Sequence, residues 1–281
     1  MRRFRIFHET EYEYPHNVQL GPHKLIIRPR DGHDVRIEES RLDLAPQASI
    51  TWHRDELDNS IALAVFPDTA TQHLRVTSEV IVTHYLWTRT TAEISRHISR
   101  QPENDNAPEA NALAAYQVTR EDPAIKNWLD TLQLNGSDSL DLLQNLALAI
   151  HEQCEYEVRL EEGVQAPAVT LARRQGSCRD YAWLFVEAAR CSGFAARFVS
   201  GYFYTAGTAI ADGHTHAWAE VYLPGAGWTG FDPTSSVIVG ENHIPVAVAV
   251  VPEAIPPISG SFTGPKGPAP APKVRVRITE A

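Results

Sequence analysis

Sulfur is scarce in this chain: its 281 residues include three cysteines and one methionine. An odd, low cysteine count argues against a disulfide framework. A dense basic run is also missing. There are 25 Lys and Arg against 35 Asp and Glu, a formal net charge of −10, so nucleic acid is not an expected partner. No apolar run approaches the ~20 residues that a membrane-spanning helix needs. Arg2, Arg3 and Arg5 open the chain, but no continuous apolar stretch follows, so the start does not read as a signal peptide. A soluble, cytoplasmic protein is the expectation, with no membrane partner. There is no D-x-D-x-D-G calcium loop and no internal repeat. What is present is a 43% hydrophobic chain, enough for one large domain or two modest ones.

The most informative stretch is Gln175-Gly176-Ser177-Cys178-Arg179-Asp180-Tyr181-Ala182-Trp183. It reads as a loop entering a helix, with Ser177 or Gly176 as the cap. The helix is expected from about Cys178 to about Arg190, ending near Gly193. Tyr181, Leu184, Phe185, Ala188 and Ala189 form an apolar face at helical spacing, and Cys178 falls on that stripe. A thiol at a helix N-terminus is favoured as thiolate, the nucleophilic form. Cys154 sits on the core stripe of a preceding helix, after Leu140, Leu143, Leu146, Ala147 and Ile150, with Ser137 or Ser139 as its cap. It and Cys191 read as structural.

A base and an orienting carboxylate come later. His214-Thr215-His216-Ala217-Trp218-Ala219-Glu220-Val221-Tyr222-Leu223 reads as a strand. Trp228-Thr229-Gly230-Phe231-Asp232-Pro233 reads as its partner across a turn at Pro224-Gly225-Ala226-Gly227. The hairpin brings His216 and Asp232 toward one another at its open end. With Cys178 they make a nucleophile, a base and an orienter. The backbone N–H of Cys178 is one oxyanion donor; Tyr156 or Gln153 is a candidate for another. His214 and His216 share a strand face, so with Cys178 and Asp232 they are an alternative donor set for zinc. The triad reading needs no cofactor and no metal.

Before these blocks, Phe4, Ile6, His8, Thr10, Tyr12 and Tyr14 alternate with mostly polar residues, a strand period. Further strands are expected at Leu25–Arg28, Val35–Glu38 with Leu42–Leu44, Ile50–Trp52, Ile61–Phe66 and Leu74–Val82. Together they suggest an antiparallel sandwich. Ile98–Pro108 reads as a linker, followed by short helices near Glu109–Tyr116 and Asp122–Leu132. The loop Tyr204–Gly213 is long enough to border a cleft. Pro252–Pro272 is rich in proline and glycine and reads as a linker or extended segment. The alternating Lys273–Thr279 is expected to return to the N-terminal sheet.

Three blocks carry a resemblance: Gly176-Ser177-Cys178-Arg179-Asp180-Tyr181-Ala182, His216-Ala217-Trp218-Ala219-Glu220-Val221-Tyr222 and Gly227-Trp228-Thr229-Gly230-Phe231-Asp232-Pro233-Thr234. In this order and spacing, from about Leu140 to Ser235, the chain resembles the bacterial transglutaminase-like family of papain-fold enzymes. Tyr12-Glu13-Tyr14, His23-Lys24-Leu25-Ile26-Ile27-Arg28-Pro29-Arg30 and Asp55-Glu56-Leu57-Asp58-Asn59 resemble its N-terminal β domain, although the family usually has Phe-Gly-Asn where this chain has Leu57-Asp58-Asn59. The resemblance implies an α+β fold: an N-terminal antiparallel β-sandwich, then a papain-like core with a catalytic helix on an antiparallel sheet. The expected divisions are 1–95, a helical linker 96–136, a core 137–252, and a tail 253–281 whose strand returns to the N-terminal domain. It implies a Cys178–His216–Asp232 triad acting on protein or peptide amides through a thioester, with hydrolysis expected. Alternatives are protein-glutamine acyl transfer and a non-catalytic scaffold of the same fold. Arg179, Asp180, Trp218 and Glu220 match the blocks and read as bracing: Asp180 at the helix start, Trp218 roofing the site, Glu220 pairing with a nearby base.

Overall fold

The computed structural model describes residues 1–85, 107–120, 122–132, 139–159, 161–205, 215–265 and 270–281. Most of the Ile98–Pro108 linker, Ser137, most of the Tyr204–Gly213 loop and His214 lie outside these residues. Among the described residues no helix is long and apolar enough to cross a membrane.

The N-terminal part is built on one long strand, β1 (Arg2–Leu25). The separate strands expected at Phe4–Tyr14 and Leu25–Arg28 are therefore corrected: the first runs on to Leu25, where β1 ends. The ladder breaks between Glu13 and Val18, where Pro15 has no N–H to donate. Before the break β1 pairs with β5 (Thr71–His84), which pairs with β2 (Val35–Ala45). After it, β1 pairs with β4 (Ser60–Val65), which pairs with β3 (Ser49–Arg54). The two halves bury Leu74 and Val76 of β5 together with Ala62 and Ala64 of β4. One strand thus serves both layers of the sandwich.

Helices α1 (Ala107–Gln117), α2 (Pro123–Thr131) and α3 (Ser139–Gln153) follow. The short strand β6 (Glu155–Tyr156), helix α4 (Pro167–Arg173) and short strand β7 (Gln175–Gly176) lead into α5 (Cys178–Cys191). β6 and β7 pair in parallel, which lays residues 155–156 beside the entrance to α5. The second sheet comprises β8 (Ala196–Phe203), β9 (Thr215–Leu223), β10 (Gly227–Asp232), β11 (Val237–Ile238) and β12 (His243–Ala249), in the order β11-β10-β9-β8-β12. Ala217, Ala219 and Val221 of β9 share a core with Tyr181, Leu184 and Phe185 of α5. Small side chains let the helix lie close to the sheet.

The proline-rich stretch is more ordered than a linker. It holds β13 (Ile258–Thr263), paired with β1 at Gln19–Leu25. This is the extended-segment reading rather than the linker one, and the prolines flank the strand instead of interrupting it. β14 (Lys273–Glu280) pairs with β1 from Phe4 to Glu11.

Candidate active site

Cys178 begins α5 and is 6% exposed. Asp180 organises the turn that delivers it. One carboxylate oxygen accepts the Ser177 N–H and hydroxyl, both at 2.8 Å. The other accepts the Gln165 N–H and an Arg159 Nη1 proton, both at 2.7 Å. Burial disfavours this carboxylate, but the backbone N–H groups of Gln165 and Ser177 and the Arg159 guanidinium outweigh that and hold its pKa below the usual range. Gly176 has no room for a side chain: a Cβ there would lie 2.9 Å from the Asp180 Cβ and 3.2 Å from Gln165 Nε2. The Gly-Ser-Cys-x-Asp spacing is thus a steric and capping requirement of this turn.

The 224–227 turn pairs β9 with β10, setting Phe231 opposite Ala219. At the open end His216 Nε2 lies 2.9 Å from Asp232 Oδ2. Cys178 is the other group that favours charge on His216, and with Nε2 engaged by the carboxylate Nδ1 is the nitrogen left for the sulfur. Burial works against an imidazolium here; the bonds to Asp232 and Cys178 outweigh it and raise the His216 pKa to about 10. Burial likewise works against the Asp232 anion, yet His216 and His243 hold its pKa far below the ordinary carboxylate value.

Asp232 is 1% exposed, and its acceptor sites are well used. The Thr234 N–H donates to Oδ1 at 2.9 Å and the Ser235 hydroxyl to Oδ2 at 2.8 Å. A second ring partner was missed in the sequence: His243 Nε2 lies 3.2 Å from the same Oδ2. Nothing in Glu241-Asn242-His243-Ile244-Pro245 marks it, and β12 reaches the site by pairing with β8, not with its chain neighbours β10 and β11. The candidate metal ligands among the described residues are therefore His216, Asp232 and His243, within 4.8 Å of one another. Each of these atoms already takes part in a hydrogen bond of the cluster.

The remaining candidates divide. Burial, with the neighbouring Cys178 sulfur as the second cause, pushes the Tyr156 phenol up to about 12. Gln153 is not at the thiol: its Oε1 accepts the Trp128 indole N–H at 2.9 Å on the exposed side of α3. Trp218 is buried against Val199 and Val248, with Leu57 of the N-terminal part packed on it, and its ring centre is 5.2 Å from that of His243. Its ring thus lies against both histidines of the site. Glu220 pairs with Arg197, Nε to Oε2 at 2.7 Å, further along β9. Cys154 and Cys191 are half-buried, and burial raises both thiols above their usual range.

Residues 126–233 match the model of the transglutaminase-like superfamily, and residues 4–83 match that of the bacterial transglutaminase-like N-terminal region. An uncharacterized protein of Mycobacterium tuberculosis is 26% identical over 276 residues, covering 92% of this chain and 87% of that protein. An uncharacterized protein of Mycobacterium leprae is 32% identical over 94 residues, covering 32% of this chain and 33% of its own. The crystal structure of a candidate cysteine protease from Cytophaga hutchinsonii superposes with a TM-score of 0.74 at 15% identity, over 99% of this chain and 90% of that one, which shows a shared fold. The chain thus carries a transglutaminase-like core at residues 126–233 and a bacterial transglutaminase-like N-terminal region at residues 4–83.

Proposed function

We propose that this protein is a cysteine enzyme that cleaves amide or peptide bonds through Cys178, His216 and Asp232, by way of a thioester. The observation that carries the reading is the setting of His216: Nε2 is held by a buried carboxylate, and the Cys178 sulfur at the start of α5 is the other neighbour that favours its charge. An imidazolium beside sulfur favours thiolate. The sulfur attacks the carbonyl carbon. The oxyanion is met by the Cys178 N–H, which lies in a first helical turn with no internal acceptor. The Tyr156 hydroxyl is the side-chain donor within reach. The tetrahedral adduct collapses, the C–N bond breaks, and the His216 Nδ1 proton leaves with the amine. Water then gives a proton to Nδ1 and attacks the thioester, releasing acid and restoring the thiol. An amine in place of that water would make the same acyl-enzyme an acyl transferase. The name given to the Cytophaga protein favours water and a protein or peptide substrate.

The test is the rate of Cys178 alkylation by iodoacetamide across pH, in wild type and in His216→Ala. Rapid alkylation at pH 6 that disappears in the variant is the expected result. Equal rates in both proteins, rising only near the ordinary thiol value of ~8.5, would overturn the reading. With casein as substrate, new amino termini mark hydrolysis; incorporation of a fluorescent primary amine instead would move the assignment to acyl transfer.

A further inference from the structure

We propose that His243 is a positioning residue for this reaction: its hydrogen bond to Asp232 orients the carboxylate that in turn holds His216. The inference rests on the cysteine-enzyme reading above. Its ground is the geometry of a carboxylate shared by two histidines. Asp232 Oδ2 meets His216 Nε2 at 2.9 Å and His243 Nε2 at 3.2 Å.

The proton on His243 can be assigned from its other nitrogen. Gly240 N–H donates to His243 Nδ1 at 3.4 Å, so Nδ1 is an acceptor. Nε2 must then carry the hydrogen and donate it to Asp232. His243 is 3% exposed, and burial, the largest influence on it, keeps it neutral. His216 carries the charge and His243 supplies a fixed neutral donor. Two imidazolium rings on one carboxylate would repel each other, which is why only one is charged.

The setting is rigid. The His243 ring lies 4.6 Å from that of Phe203 and stands edge-on to Trp218 at 5.2 Å. Its strand is tied across the molecule by Asn59, which exchanges two hydrogen bonds of 2.9 Å with the backbone of Val248. The titratable groups around it are Asp232 and His216, with His84 of β5 reaching its backbone and Glu241 nearby in sequence. Cys178 and Tyr156 lie beyond His216. Without His243, Oδ2 keeps His216 and the Ser235 hydroxyl but loses its second ring donor, and the carboxylate is held less firmly against His216.

The experiment uses three full-length variants. His243→Phe keeps the ring packing and removes the donor. His243→Gln places an amide N–H near the Nε2 position and does not titrate. His243→Asn has an amide too short to reach Asp232. The readouts are the iodoacetamide rate from pH 5 to 10, with thermal unfolding as the folding check. H243F is expected to react about tenfold more slowly at neutral pH, the cost of one hydrogen bond to a charged group. Its high-pH limb should move down as the His216 proton is held less firmly. H243Q is expected to recover most of the rate and the wild-type limb. If H243F does not fold, H243Q against H243N carries the same contrast. A donor-free variant with the wild-type rate and profile, or an H243Q as slow as its donor-free counterpart, overturns the proposal. Equal rates in wild type and H216A would overturn the enzyme reading and this inference together; loss in H216A with none in the donor-free variant rejects the inference alone.

Discussion

His8 and His216 are both largely buried, and their protons are governed in opposite directions. His216 has two partners that favour charge, and its pKa is raised to about 10. Its contribution to stability is therefore complete below the unfolded value near 6.5 and is lost as pH rises through about 10. His8 has neutral partners. The Tyr202 hydroxyl donates to the Ile27 carbonyl at 3.0 Å, so the His8 Nδ1–H donates to the Tyr202 oxygen at 2.8 Å, and Nε2 faces the Thr10 hydroxyl at 3.1 Å. Burial without a counter-charge lowers its pKa from 6.5 to about 4. Between those values the unfolded chain binds a proton that the folded chain refuses, so stability falls as pH drops. From pH 7 to pH 5 the loss from this residue is about 2 kcal/mol. Urea unfolding of wild type and His8→Asn at the two pH values checks this, because the variant lacks the extra slope; equal slopes would sink it. Asp58 is another residue-scale choice. It has φ +63° at the position where the resembled family usually has glycine, and a short polar side chain is among the few that tolerate this.

At the scale of elements, the approach of β12 to β8 depends on one missing side chain. A Cβ on Gly201 would lie 2.5 Å from the Ile244 carbonyl oxygen and 2.5 Å from Trp218 Cη2. Gly201→Ala must push apart the strand that carries His243 and the ring behind the two histidines. The expected cost is roughly 1–3 kcal/mol, as for overpacking elsewhere, together with slower alkylation of Cys178. Thermal unfolding and the iodoacetamide rate measure the two effects; a variant unchanged in both would show that β12 is not set by this contact. What was legible follows the same logic. The α5 start and the β9–β10 hairpin are local, so capping residues, a turn and a strand period revealed them, and the 2.9 Å His216–Asp232 contact follows from that pairing. His243 and Gly201 meet through strands distant in sequence, and no local pattern records such a meeting. β1 was cut short because its alternation stops at Pro15, although the strand continues beyond it.

The whole molecule is held by a core that does not respect the division into sandwich and enzyme-like core. Phe4, Ile6 and Val82 of the N-terminal sheet, Val276 and Ile278 of β14, and Leu143 and Phe185 of the helices belong to one buried cluster. Polar ties reinforce it. The Arg30 N–H donates to the Pro245 carbonyl at 2.8 Å. Asn59, fully buried, bonds Arg30 and Asp55 as well as both backbone groups of Val248. Two parts that share apolar surface on this scale lose it together, so unfolding should be a single cooperative transition. Cys154 and Cys191 both lie on the helical side, so once Cys178 has been alkylated in the folded protein their exposure to Ellman's reagent reports on that side alone. Far-UV circular dichroism reports on the sheets as well. The two midpoints in urea should coincide. Asn59→Ala leaves the Val248 N–H and carbonyl without their partner and should cost about 2–4 kcal/mol. Because the contact lies between the two parts, that loss should lower both midpoints equally. Thiol exposure that stays at the wild-type midpoint while the dichroism splits into two steps would mean that the N-terminal sheet melts independently. The sheet would then be a separable attachment, and the setting of β12 could not depend on it.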